Sequence, residues 1–169
     1  TEILSGDNTG EHLNGLITQA TSFTTGLLHT ADGWEKADII RRAVQQVQAS
    51  NETSPSWVAL NPADWADIEL TKDTSGRYIF GGPASVLAPR IWGLDVIVSN
   101  NVASGTFLLG NSTGAMIRDR EEMTIEISTE HSDYFIKNMV AIRVEERLAL
   151  VVTRPASFIS GSVNTSPAS

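Results

Sequence analysis

The sequence predicts an α+β fold: a mixed sheet with about two packed helices, and a long β-ribbon that is an excursion from that sheet. Three observations carry the prediction. Residues 36–48 place Ile39, Ile40, Ala43, Val44 and Val47 at three- and four-residue spacing, an apolar stripe opposite Arg and Gln. Short runs such as Trp57-Val-Ala-Leu60 are apolar throughout, as suits a strand covered on both sides. From Asn138 to Val152 the chain holds its longest period-two pattern, with Val140, Ile142, Val144, Leu148, Leu150 and Val152 on one side and Arg143, Glu145 and Arg147 on the other.

The 169 residues are enough for one domain with a real core, or for one domain with a protruding lobe. A net charge of −8 argues against a sequence-independent grip on nucleic acid, which needs a basic patch. Lysine occurs only at Lys36, Lys72 and Lys137, so there is no polybasic membrane segment. The absence of cysteine excludes disulfides and thiolate metal sites. No apolar run has the length that a membrane-spanning helix needs, and no signal peptide is visible.

In chain order, GDNTG at 6–10 reads as a turn. Leu13, Leu16 and Ile17 have helical spacing, but Gly15 weakens a helix, and the first 34 residues are expected to run irregularly over the surface. Asp32 is the expected N-cap of a helix from Trp34 to Gln48. A turn at Asn51–Pro55 leads into the Trp57–Leu60 strand. Asn61 then stands where an N-cap would, with Pro62 in the first turn of a short helix. Lys72–Arg77 is a polar loop whose Gly76 permits a left-handed turn, and Gly81-Gly82-Pro83 breaks the backbone. Strands are expected at Ile91–Val98, Thr106–Leu109 and Met123–Ile127. Ser128–Asp133 is a polar turn, Ala156–Val163 a last strand, and the tail from Asn164 disordered. Glu146 interrupts the apolar side of the long run, which places it at a rim or in an ion pair.

Sites of chemistry are sparse. His12, His29 and His131 share no spacing that puts two on one face of an element, so surface histidines are the expectation and no metal or cofactor is. Neither GDNTG nor FGGP has the Lys-Ser/Thr pair of a phosphate loop, and no Gly-x-Ser-x-Gly elbow occurs. Arg143, Glu145 and Arg147 alternate in sign on one strand face, as in cross-strand or inter-subunit ion pairs; exposed acid–base catalysis is the weaker reading. A carboxylate such as Glu145 near the Asn138 amide would serve as a base if a lysine amine attacked that amide.

The runs LNPADW (60–65), KDTSGRYIFGGP (72–83), WGLDVIVSN (92–100), GTFLLGN (105–111), DREEMTIEIS (119–128) and FIKNMVAIRVEERLALVVTRP (135–155) stand in that order. Together they resemble the major capsid protein of tailed double-stranded DNA bacteriophages, whose fold is named for phage HK-ninety-seven. The resemblance implies a virion protein assembled in the bacterial host cytoplasm, many copies forming an icosahedral shell of pentamers and hexamers around the DNA genome. It implies an axial domain at residues 1–111 and 153–169 and a peripheral ribbon at 112–152, with Arg143, Glu145 and Arg147 at subunit contacts. Scaffolding, portal and decoration proteins are the further partners it implies. In the type member a lysine of one subunit forms an isopeptide bond with an asparagine of a neighbour beside a glutamate base; Asn138 in IKNMV and Glu145 in VEERLAL match acceptor and base. The family's N-terminal arm, extended loop and spine helix, with the reacting lysine, have no counterpart in these residues. The resemblance therefore implies a C-terminal fragment. Two rival readings remain: an encapsulin-type compartment shell, and a hydrolase whose Ser, His and Asp residues converge in space.

Overall fold

The computed structural model describes residues 2–10, 12–27, 36–80, 89–129, 134 and 136–164. The expected Asp32 cap, the Gly81–Pro83 break, His29, His131, most of the turn before Asn138 and the tail beyond Asn164 lie outside them. Two compact units emerge: residues 1–116 with 152–169, and residues 117–151.

The first unit is built on a six-stranded mixed sheet. Its strands are β1 (Thr21–Ser22), β2 (Trp57–Leu60), β3 (Arg90–Ile91), β4 (Leu94–Val98), β5 (Thr106–Gly110) and β8 (Ile159–Ser162). They lie in the order β1-β8-β5-β2-β4-β3. The pairs β1–β8 and β2–β4 are parallel, and β8–β5, β5–β2 and β4–β3 are antiparallel. β2 sits inside the sheet and is buried on both sides, which its apolar run requires. Val58 and Leu60 join Phe107, Leu109, Leu94 and Val96 in one cluster, while Ala59 joins Leu108 and Val102 in another.

Helix α3 (Lys36–Ala49) lays the stripe Ile39, Ile40, Ala43, Val44 and Val47 into the larger cluster, every one of them buried. Helix α4 (Pro62–Glu69) adds Trp65 and Ile68. Its N-cap is Asn61, whose side-chain oxygen accepts from the Ala63 N–H at 3.1 Å while its amide donates to the Val102 carbonyl at 2.8 Å. The cap thus fixes the helix start and the loop before β5 together.

Three expectations change. The first residues are not irregular: α1 (Glu2–Ser5) and α2 (Leu16–Gln19) are short helices, and Leu4, Leu16, Ile17 and Ala20 cover the second cluster. Gly15, read as a helix breaker, is the residue before α2, where a Cβ would lie 2.4 Å from the Gly6 nitrogen. Close backbone contact accounts for the glycine. The expected strand 91–98 is instead a hairpin, turning at Trp92 (φ 51°) and Gly93 (φ 82°) between β3 and β4. The bulky Trp92 adopts a left-handed conformation that costs such residues energy; its indole N–H donates to the Ala37 carbonyl at 2.8 Å.

The last strand is shorter than expected because Pro155–Ser157 form a 3-10 turn first. That turn delivers Phe158 against two glycines. A Cβ on Gly110 would lie 2.3 Å from the ring, and one on Gly114 2.8 Å from it. Phe158 is 1% exposed. The ring occupies the space of two absent side chains.

Candidate functional site

The second unit is formed by β6 (Ala115–Ser128) and β7 (Ala141–Val152), which make a two-stranded sheet of their own. Their ion pairs show the direction: Arg143 meets Glu126 and Arg147 meets Glu121, so partner numbers fall along β6 as they rise along β7, and the pair is antiparallel. β6 begins well before the expected Met123, because Met116–Arg120 already belongs to it. β7 begins at Ala141 and not at Asn138.

The Arg143 guanidinium donates to Glu126 Oε2 at 2.8 Å and lies 3.5 Å from Glu145 Oε1. Arg147 Nε lies 3.3 Å from Glu121 Oε2. Arg143 and Arg147 thus meet cross-strand partners within one chain, and Glu145 meets Arg143 on its own strand; Glu126 and Glu121, the residues that complete the cross-strand pairs, are not singled out by spacing. All these side chains are about half exposed or more. Solvent screens such pairs, so they hold register more than they stabilise.

Alternation from the Arg143–Glu126 pair sends Ile142 and Val144 with Ile125 and Ile127 to the other face, whereas Glu121, of the same parity as Ile125, reaches Arg147. No described residue from Ile117 to Val151 is buried. Glu146, on the apolar side, is exposed and makes no ion pair among the described residues.

Asn138 ends a turn closed by the Met139 N–H donating to the Tyr134 carbonyl at 2.9 Å. It is exposed and has φ 54°, a left-handed conformation that asparagine tolerates. Glu145 is on β7, its carboxylate 46% exposed. Among the described residues no hydrogen bond joins the two. The first unit holds the one strongly buried acid among the described residues: Asp64 accepts from Lys36 Nζ at 2.6 Å and from the Gly105 N–H at 2.6 Å, while Asp67 takes Lys36 Nζ at 2.7 Å. Burial pulls the pKa of the Lys36 ammonium down, but bonds from Asp64 and Asp67 outweigh it and raise it overall. A fixed, charged lysine of this kind ties α3, α4 and the loop before β5 together and is no nucleophile.

His12 faces Glu2 with Nδ1 3.1 and 3.2 Å from the two carboxylate oxygens, both groups exposed. The hydrogen bond to Glu2 raises its pKa, helped by the charges of Glu2 and Asp7. Among the described residues no group of three His, Asp or Glu is arranged to hold a metal, and no helix is long and apolar enough to cross a membrane.

A model of the phage capsid family matches residues 1–163. The chain belongs to the phage capsid family. This capsid-family chain is 44% identical over 165 residues to the major capsid protein of Enterobacteria phage HK97, across 97% of its own length and 42% of that relative. It spans less than half the length of that curated protein. Solved structures share its fold. One is from Microbacterium phage Oxtober96, with a TM-score of 0.74 at 17% identity over 95% of this chain and 59% of that one. The capsid of an empty GTA particle computed with C5 symmetry gives 0.72 at 15% identity over 95% and 59%. A virus-like particle from Pyrococcus furiosus gives 0.55 at 15% identity over 85% and 56%.

Proposed function

We propose that the chain is a shell-forming part of a phage or prophage capsid subunit, acting by self-association and not by turnover. The first unit takes the axial role and clusters in fives and sixes. The ribbon takes the peripheral role and meets neighbours, with Arg143, Glu145 and Arg147 on its polar face. The product is an icosahedral virion shell enclosing DNA, assembled in the host cytoplasm with scaffolding, portal and decoration proteins as further partners. The observation that carries this reading is a closed core in one unit and, in the other, a ribbon with no buried residue among those described, in a capsid-family sequence. A fold that leaves one element uncovered is suited to completing itself on assembly. Light scattering with negative-stain microscopy over a concentration series tests it. Five- or six-membered rings are expected; a strict monomer at every concentration overturns self-association by this chain.

Asn138 and Glu145 keep the resemblance's roles of cross-link acceptor and base. In that step a neighbouring lysine Nζ attacks the Asn138 side-chain carbonyl carbon, the new C–N bond forms, and ammonia leaves. Glu145 takes the proton released by the amine. The exposed, turn-held Asn138 supports access by a neighbour. Denaturing mass spectrometry of shells assembled from the full-length protein, which carries the lysine, is the test: covalent multimers lighter by one ammonia per link are expected, and monomer alone overturns it.

A further inference from the structure

We infer that Gln46 is a guard on the sheet: its side-chain amide stands where a further strand's backbone would stand and keeps the β1 edge from pairing with an extended strand of another chain. Among the described strands β1 ends the sheet, with β8 beside it. Toward β8 the Thr21 and Phe23 N–H groups donate to the Phe158 and Ser160 carbonyls at 2.9 and 2.8 Å. Successive residues of a strand turn their backbone groups to opposite sides, so the Ser22 carbonyl and the Thr24 N–H point away from β8. Both meet Gln46. Its Nε2 donates to the Ser22 carbonyl at 3.1 Å, and its Oε1 accepts from the Thr24 N–H at 2.9 Å.

The pattern is that of a parallel partner. In a parallel ladder one residue of the neighbour donates to the carbonyl of residue i and accepts from the N–H of residue i+2. A primary amide, with a donor and an acceptor on one carbon, reproduces that pair. Turned over, it would set donor against donor and acceptor against acceptor, so a single orientation fits. Helix α3 delivers it. Ala43 and Val47 of the buried stripe share a cluster with Phe23, which lies between the two edge groups, and Gln46 stands beside them on the helix, half-buried.

The local sequence explains why this edge needs closing. From Leu13 to Leu27 there is no charged residue and no proline, and β1 lies within a Thr-Ser-Phe-Thr-Thr run rich in strand-forming residues. Charge and proline are the usual means of keeping an edge from adding strands, and both are missing here. At the sheet's other end β3 carries Arg90, whose Nε lies 2.7 Å from Asp95 Oδ1 with both side chains exposed. Where charge is absent, a side-chain amide does the closing.

This goes beyond the capsid reading and fails separately from it: negative stain for rings judges that reading, and thioflavin fluorescence for added strands judges this one. Gln46→Met keeps the length and the apolar stem but neither hydrogen bond. Amide exchange at Thr24 should quicken about 5-fold or more with Val58 unchanged, and the purified chain should turn thioflavin-positive about tenfold faster than wild type. Thr24→Pro in the same background removes the N–H that an added strand needs and leaves the bonds to β8 in place. It should return the rate to the wild-type value, which no general loss of stability would allow. No acceleration in Gln46→Met overturns the inference. Acceleration that Thr24→Pro leaves intact also overturns it. So does lost protection at Val58, which would make Gln46 a prop of the fold and not a guard of its edge.

Discussion

The two units spend their apolar residues in opposite ways. In the first, a helix stripe is closed onto a face of the six-stranded sheet, and Ile40, Ala43, Val47, Val58, Leu60 and Leu109 are 0% exposed. In the ribbon, Ile125, Ile127 and Ile142 stand 60–69% exposed on strands of equal regularity. The same residue type therefore holds one unit together and leaves the other incomplete. The buried apolar residues that stabilise the chain lie in the first unit; those of the second face solvent.

Truncation of the core should separate the units most. Phe107→Ala is expected to cost about 4 kcal/mol in urea denaturation, against less than about 0.5 kcal/mol for Ile125→Ala in the dissociated chain. Equal losses at the two positions would erase the contrast. Next comes the buried acid. Asp64→Ala leaves the Gly105 N–H unpaired and takes one of the two carboxylate partners from Lys36, and should cost about 3 kcal/mol by the same measurement. Removing the N-cap with Asn61→Ala should cost about 1 kcal/mol and loosen amide protection in both α4 and the loop at Val102. On the ribbon, Arg143→Ala should change the melting free energy by less than about 1 kcal/mol, because both partners are more than half exposed.

The smallest effect is a pH dependence at the Glu2–His12 contact. The folded pKa of His12 lies above its ordinary 6.5, so its contribution is complete below that value and fades as pH rises through the folded one. Asp7 goes the other way. Hydrogen bonds from Thr9 hold it below 3.8, so its contribution is present above that value and is lost as pH falls through the folded one. A chemical-shift titration of His12, with a Glu2→Gln variant whose midpoint should fall, checks the first sign.

Most of the first unit was legible because its periodicities are unmixed. The stripe from Ile39 to Val47, the Asn61 cap and the doubly buried Trp57–Leu60 run each follow from local rules. What escaped was set by distance. Gly15 reads as a helix breaker until Gly6 is seen against it, and the Trp92–Gly93 turn hides inside a run whose apolar residues continue on both sides. The Lys36–Asp64–Gly105 contact is made of bonds across 28 and 41 residues and leaves no trace in spacing. At the ribbon, alternation signalled charged and apolar faces, and Glu146 was visible as the break in one of them. Glu126 and Glu121 became partners of Arg143 and Arg147 only through the register of two strands.

Phe158 has a consequence for descent. Its ring fills the space above Gly110 and Gly114, so either glycine can gain a side chain only if the ring shrinks first, and a smaller residue at 158 leaves a void that only the glycines' replacement can refill. The three positions are thus coupled by one volume. Among capsid sequences that have drifted apart, they should change together or not at all, and a lineage caught with only one of them altered should carry a weakened shell protein.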